Sequence, residues 1–81
     1  MTSPETITDG NVADGVQVSI NGRPQSVPRG LTVAGLLRHL GIEADRVAIE
    51  LNRDIVRRPA WDSTPIEDKA ELEIVHFVGG G

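Results

Sequence analysis

The chain ends Phe77-Val78-Gly79-Gly80-Gly81, three glycines directly behind a hydrophobic stretch. Three residues extend about 10 Å at roughly 3.4 Å each, enough to make a thin tether with a carboxylate at its tip. Without β-carbons, Gly79, Gly80 and Gly81 suit insertion into a narrow active site of another protein, in backbone geometries closed to other residues. A carboxylate is a poor electrophile until one of its oxygens becomes a good leaving group, as in an acyl adenylate. The Gly81 carbonyl carbon would then accept a nucleophile without steric hindrance, which marks Gly81 as the candidate modification site. The plain alternative is a frayed terminus, because glycines at chain ends are common and flexible. The tail alone does not choose between the two.

Other residues with chemical potential are sparse. His39 falls near the end of a helical pattern, where a cation is mildly favoured, and His76 lies in the last strand pattern. Neither has a second ligand at metal spacing or a nucleophile partner evident in the sequence. Glu67, Asp68, Glu71 and Glu73 form an acidic cluster, the usual mark of a solvated face. With no cysteine the chain has no thiol nucleophile, no thiolate metal site and no disulfide framework. A catalytic carboxylate pair needs a cleft, and a body this small has little room for one. The expectation is a protein that is not an enzyme, binds no metal and holds no cofactor of its own.

The tail must be carried by something, and the preceding pattern describes it. Val16, Val18 and Ile20 alternate with Gln17 and Ser19, the period of a half-buried strand. Asn21-Gly22 then predicts a hairpin, since both residues tolerate positive φ, and Arg23 to Val27 returns as a second strand. Pro24 lacks an amide donor and belongs at a strand start or a sheet edge. Val33, Leu36, Leu37 and Leu40 share one face of a helix. Thr32 is suited to its N-cap, Leu31 to a hydrophobic staple and Gly41 to its stop. Gly35 inside it costs up to about 1 kcal/mol relative to alanine, tolerated either for close approach to a sheet or as surface sequence.

Val47 to Leu51 alternates again. Asn52-Arg53-Asp54 reads as a turn, Ile55-Val56 as a very short strand, and Arg57 to Lys69, with Pro59 and Pro65, as an irregular crossover with a helical turn at most. Glu71 to Val78 closes the sheet. The order β-β-α-β-β-β predicts an α+β fold, a mixed sheet with one helix packed across one face. The expected core is Val16, Val18, Ile20, Val33, Leu36, Leu37, Leu40, Val47, Ile49, Leu51, Leu72 and Ile74.

At 81 residues this is one small domain. Residues 1–14 are polar and should form a disordered arm, leaving a domain over 15–78 and a flexible glycine tail over 79–81. The net charge of −4 comes largely from Glu5, Asp9 and Asp14, so the body is close to neutral. No basic field exists to hold a phosphate backbone, and two aromatics, Trp61 and Phe77, do not make a base-stacking platform. Nucleic acid is disfavoured as a partner. No apolar run approaches a membrane span and the start lacks a signal-peptide pattern, so the expected setting is cytoplasmic, away from membranes.

If Leu72 and Ile74 face the helix, Val75 and Phe77 project from the opposite face. With Ala48 and the following Val78 they form the candidate partner-binding patch, beside the tail. The opposing possibility is that the crossover covers them, with Trp61 as a lid; Trp61 itself is assigned mainly to packing. Arg57 and Arg58 are candidates for steering an acidic partner.

A hairpin, a helix, a returning sheet and a strand ending in Gly-Gly resemble the β-grasp, ubiquitin-like fold, and more specifically the ThiS family of sulfur carriers in thiamine biosynthesis. The matching stretches are VQVSINGRPQSVPRGLTVAGLL, VAIELNRDIVRRPAW and ELEIVHFVGGG. Asn52, Ile55-Val56, Arg58 and Trp61 fall at family spacing. Many relatives carry Asp-Gly-Asp before the last strand, where this chain has Asp68-Lys69-Ala70. The resemblance implies that an E1-like adenylating enzyme uses ATP to convert the Gly81 carboxylate to an acyl adenylate. Sulfur from a persulfide, such as that of a cysteine desulfurase, then leaves a thiocarboxylate for delivery to a thiazole synthase. It also implies a protein co-substrate; a monomer is expected outside its complexes. The small subunit of molybdopterin synthase is an alternative, disfavoured by the Arg58 to Trp61 segment, and a carrier for another sulfur pathway stays open because the partner fixes the pathway. From another class come a ubiquitin-like interaction module and a protein modifier without sulfur chemistry.

Overall fold

Two β-hairpins, one helix and one final strand account for most of residues 15–77, the part of the chain described by the computed structural model. The arm expected over 1–14, the tail expected over 79–81 and Val78 lie outside the described residues. Strands β1 (Gly15–Ile20) and β2 (Arg23–Pro28) pair antiparallel, with Ile20 opposite Arg23. The two residues between them, Asn21 and Gly22, have φ of 52° and 81°. Positive φ at both positions is the turn geometry whose twist matches that of the flanking strands. Pro24 and Pro28 sit on β2, an edge strand, where a missing amide donor is tolerated.

The helix α1 (Val33–Leu40) begins and ends as its sequence directs. Thr32 Oγ1 accepts a hydrogen bond from the Gly35 amide at 3.1 Å, satisfying one of the donors that a first helical turn leaves open. Gly41 takes φ 74° and its N–H donates to the Arg38 carbonyl, a left-handed stop that glycine adopts without strain. Gly35 does not mark a close approach to the sheet. A Cβ there would meet the Leu31 side chain at 3.3 Å and Thr32 Oγ1 at 3.5 Å, so its small size makes room for the cap and the residue before it.

A 3-10 turn (Ala44–Arg46) leads into β3 (Val47–Leu51), which pairs antiparallel with β4 (Asp54–Val56). The connection is two residues, not three. Asn52 and Arg53 have φ of 51° and 75°, and Asp54 belongs to β4 opposite Leu51. The crossover is irregular with one short 3-10 turn (Arg58–Ala60). The last strand, β5 (Ala70–His76), starts one residue earlier than the sequence suggests because Ala70 pairs with Val18 of β1.

The sheet order is β2-β1-β5-β3-β4. The final strand is central, parallel to β1 and antiparallel to β3. One sheet face and α1 enclose the core: Val16, Val18, Ile20, Val33, Leu36, Leu37, Val47, Ile49, Leu72 and Ile74 are buried. Leu40 and Leu51 are only partly buried and pack against it. Val27, Trp61, Ile66 and Ala70 complete the core. Val27, absent from the expected core, lies opposite buried Val16 on β2, and Trp61 and Ile66 lie in a stretch with no periodicity. Hydrogen bonds fix the latter two. The Ile66 amide donates to the Leu31 carbonyl at 2.8 Å, the Ala34 amide to the Trp61 carbonyl at 3.1 Å, and Trp61 Nε1 to the Val56 carbonyl at 2.8 Å.

The turn before β5 forms without the glycine that the resemblance led one to expect. Lys69 adopts φ 70°, its amide donates to the Gln17 carbonyl, and Asp68 Oδ1 accepts from the Gln17 amide at 2.8 Å. The turn closes at the cost of placing a β-carbon in the left-handed region.

Candidate functional site

Alternation along β5 divides its residues between two faces. Ala70, Leu72 and Ile74 are buried under α1, while Glu71, Glu73, Val75 and Phe77 are exposed on the other face. Val75 and Phe77 are 56% and 58% exposed, more than large apolar side chains in an uninterrupted core face would be. Ala48 is exposed and lies directly opposite Val75 across the β3–β5 pair. The structure therefore brings Ala48, Val75 and Phe77 together on one surface. Trp61 does not cover them, because it is buried on the helix side. Val78, Gly79, Gly80 and Gly81 lie outside the described residues.

The backbone of β5 is held firmly up to its last described residue. On the β3 side the Phe77 amide donates to the Arg46 carbonyl at 2.9 Å. On the β1 side the strand outruns its partner, since the last β1 residue, Ile20, pairs with Leu72. The Asn21 carboxamide substitutes for the missing strand. Its Oδ1 accepts from the Ile74 amide at 2.7 Å and its Nδ2 donates to the Ile74 carbonyl at 3.2 Å. Asn52 performs the same service at the opposite end, with Oδ1 accepting from the Glu71 amide at 3.0 Å. A strand pinned from both sides presents its exposed face, and the root of whatever follows Phe77, in a fixed direction.

Charge accompanies the apolar patch. Glu50 and Glu73 are directly opposed across β3 and β5, and they line a shallow depression with Ala48, Val75, Arg53 and Ile55. Like charges directly opposed cost a sheet stability, so this pair is not explained by folding. Ile55, on β4 and 74% exposed, extends the apolar surface, and the sequence reading missed it. The available signal was the turn length: a two-residue Asn52-Arg53 turn necessarily sets Ile55 opposite Glu50.

The remaining candidates stand apart. His39 is exposed on α1 and His76 is exposed at the end of β5. Arg58 lies over the Trp61 ring, 5.7 Å from its centroid, a stacking position on the helix side. Among the described residues no three His, Asp or Glu side chains are placed to hold a metal ion, and no helix is long and apolar enough to cross a membrane.

Comparison with known proteins gives this arrangement its context. The crystal structure of a thiamine biosynthesis protein (ThiS) from Geobacter metallireducens superposes with a TM-score of 0.72 at 35% identity, covering 82% of this chain and all of that one. That match establishes the β-grasp arrangement. The sulfur carrier protein ThiS of Bacillus subtilis is 36% identical over 50 residues, 62% of this chain and 76% of that protein. A thiazole synthase from Magnetococcus marinus is 35% identical over 66 residues, which are 82% of this chain but 20% of that one. The chain thus spans about a fifth of the length of the curated thiazole synthases it matches. The family model for ThiS matches residues 12–81, nearly everything but the arm. Fold, extent and motif agree, and the chain belongs to the ThiS family.

Proposed function

We propose that this protein is a sulfur carrier for thiamine biosynthesis, a co-substrate whose Gly81 carboxylate is the working group. An E1-like adenylating enzyme binds the Ala48, Val75 and Phe77 surface and takes the Gly79 to Gly81 tail into its active site. A carboxylate oxygen attacks the α-phosphorus of ATP, pyrophosphate leaves, and Gly81 becomes an acyl adenylate. The terminal sulfur of a persulfide, such as that of a cysteine desulfurase, attacks the carbonyl carbon and AMP departs. A second thiol cleaves the resulting acyl disulfide, leaving a thiocarboxylate. A thiazole synthase then receives the sulfur.

The observation that carries this reading is the continuity of β5 with the tail, within a chain of this family. One rigid strand bears an exposed apolar patch and leads within five residues to a glycine carboxylate. The opposed Glu50 and Glu73 beside the patch suit a partner that surrounds an apolar contact with basic side chains. The likeness of this chain to a fifth of a thiazole synthase supports such an enzyme as the recipient. The absence of cysteine is compatible with sulfur being held at the terminus.

The test is intact-mass spectrometry after incubation with ATP, a sulfur donor and the adenylating enzyme from the same organism, followed by thiol-directed alkylation. Since the chain has no cysteine, an alkylated adduct mapping to the Gly81 peptide identifies a thiocarboxylate. Extending the chain by one residue beyond Gly81 should abolish the adduct and leave binding to the adenylating enzyme nearly unchanged. Absence of the adduct from the unextended protein would reject terminal sulfur chemistry in favour of a docking module.

A further inference from the structure

Activating a carboxylate exposes it to every amine within reach, including the protein's own. This chain has seven arginines but one lysine, Lys69. Guanidinium groups stay protonated at physiological pH and are not acylated, whereas a lysine amine is. The single lysine is fixed at the N-terminal end of β5 by the hydrogen bond its backbone N–H donates to the Gln17 carbonyl and by the φ of its turn. The tail departs from the other end of the same strand, after Phe77. The eight steps from Lys69 to Phe77 span about 26 Å at roughly 3.3 Å each. Residues 78–81 extend at most about 14 Å and the lysine side chain adds about 6 Å, so the two cannot meet within one molecule.

We propose that this placement protects the activated terminus from acylating the chain's own lysine, an inference that rests on Gly81 being activated. In the reaction avoided, Lys69 Nζ would attack the Gly81 carbonyl carbon. The carbon–oxygen bond to AMP would break, AMP would leave with the electron pair, and the ammonium proton would pass to water. The product is an irreversible amide. The other nitrogen groups beside Phe77 are of kinds that cannot end there. Arg46 and His76 line a hollow with Glu43 and Phe77, and an acyl group transiently on imidazole is returned to the acid by water. The hollow beside Phe77 thus offers an activated carboxyl no lasting acceptor.

The test loads Gly81 chemically as a thioester, so it does not depend on any adenylating enzyme. Intact mass and peptide mapping then follow the purified protein over a dilution series, distinguishing Lys69 from the chain's α-amine. The wild type should yield the hydrolysed acid, and any amide to Lys69 should form at a rate that rises with concentration, as between two molecules. Arg46→Lys, or Glu43→Lys across the same hollow, should trap the tail as an internal amide, one water lighter than the acid, at a rate independent of concentration. A concentration-independent Lys69 amide in the wild type, or no internal amide in either variant, would overturn the proposal. Failure of enzymatic loading with this chemistry intact would instead count against the carrier reading.

Discussion

Asn21 serves two purposes at once: its backbone makes the β1–β2 turn at φ 52° and its carboxamide completes the β5 ladder at Ile74. Removing the side chain strands a part-buried amide, which costs about 1–3 kcal/mol. Asn21→Gly keeps the positive φ and removes only the carboxamide, so a urea melt of that variant should show the loss without any turn strain. Lys69 is the converse case, a residue whose backbone is strained at φ 70°. Lys69→Gly should raise stability by up to about 1 kcal/mol, read as a rise of several degrees in Tm for a domain of this size. Both effects arise from backbone geometry that no residue type announces alone. Asn21-Gly22 declares a turn, but the partner of its side chain lies 53 positions away.

At the scale of elements, much was legible because local signals coincided. Alternation placed β1 and β3. The helix was marked three times over, by apolar spacing, the Thr32 cap and the Gly41 stop, and all three are realised. Thr32→Ala should cost about 1 kcal/mol and speed hydrogen exchange at the Gly35 amide, which Thr32 Oγ1 accepts from. Illegible were the features created by neighbours distant in sequence. Ile66 is buried because its amide finds Leu31, and nothing in a proline-flanked, aperiodic segment signals that. The sequence marks Ile55 as part of a short strand, but its place beside the patch depends on a two-residue turn where Asn52-Arg53-Asp54 suggests three. For the candidate site, alternation alone gave the outward face of Val75 and Phe77, whereas the opposition of Glu50 and Glu73 required the β3–β5 register.

For the whole molecule, one strand divides its residues between stability and recognition, and the two can be separated by mutation. Val75→Asp and Phe77→Asp change side chains more than half exposed, so the urea midpoint should hold while affinity for the adenylating enzyme falls at least about tenfold. Glu73→Lys should separate them more sharply. Turning a like-charged pair with Glu50 into an opposite one should stabilise the fold by about 0.2–1 kcal/mol. The same change should slow association with the partner and flatten its salt dependence. The central position of β5 has a further consequence for how the protein is made. Before this strand joins, β1–β2 and β3–β4 are separate hairpins, and such hairpins are marginal in water. Closing the long loop between β1 and β5 comes at an entropic cost before its contacts form. A nascent chain should therefore remain open to proteases until the ribosome has translated the strand that carries the tail, and truncated products lacking it should be degraded before they can occupy a partner unproductively.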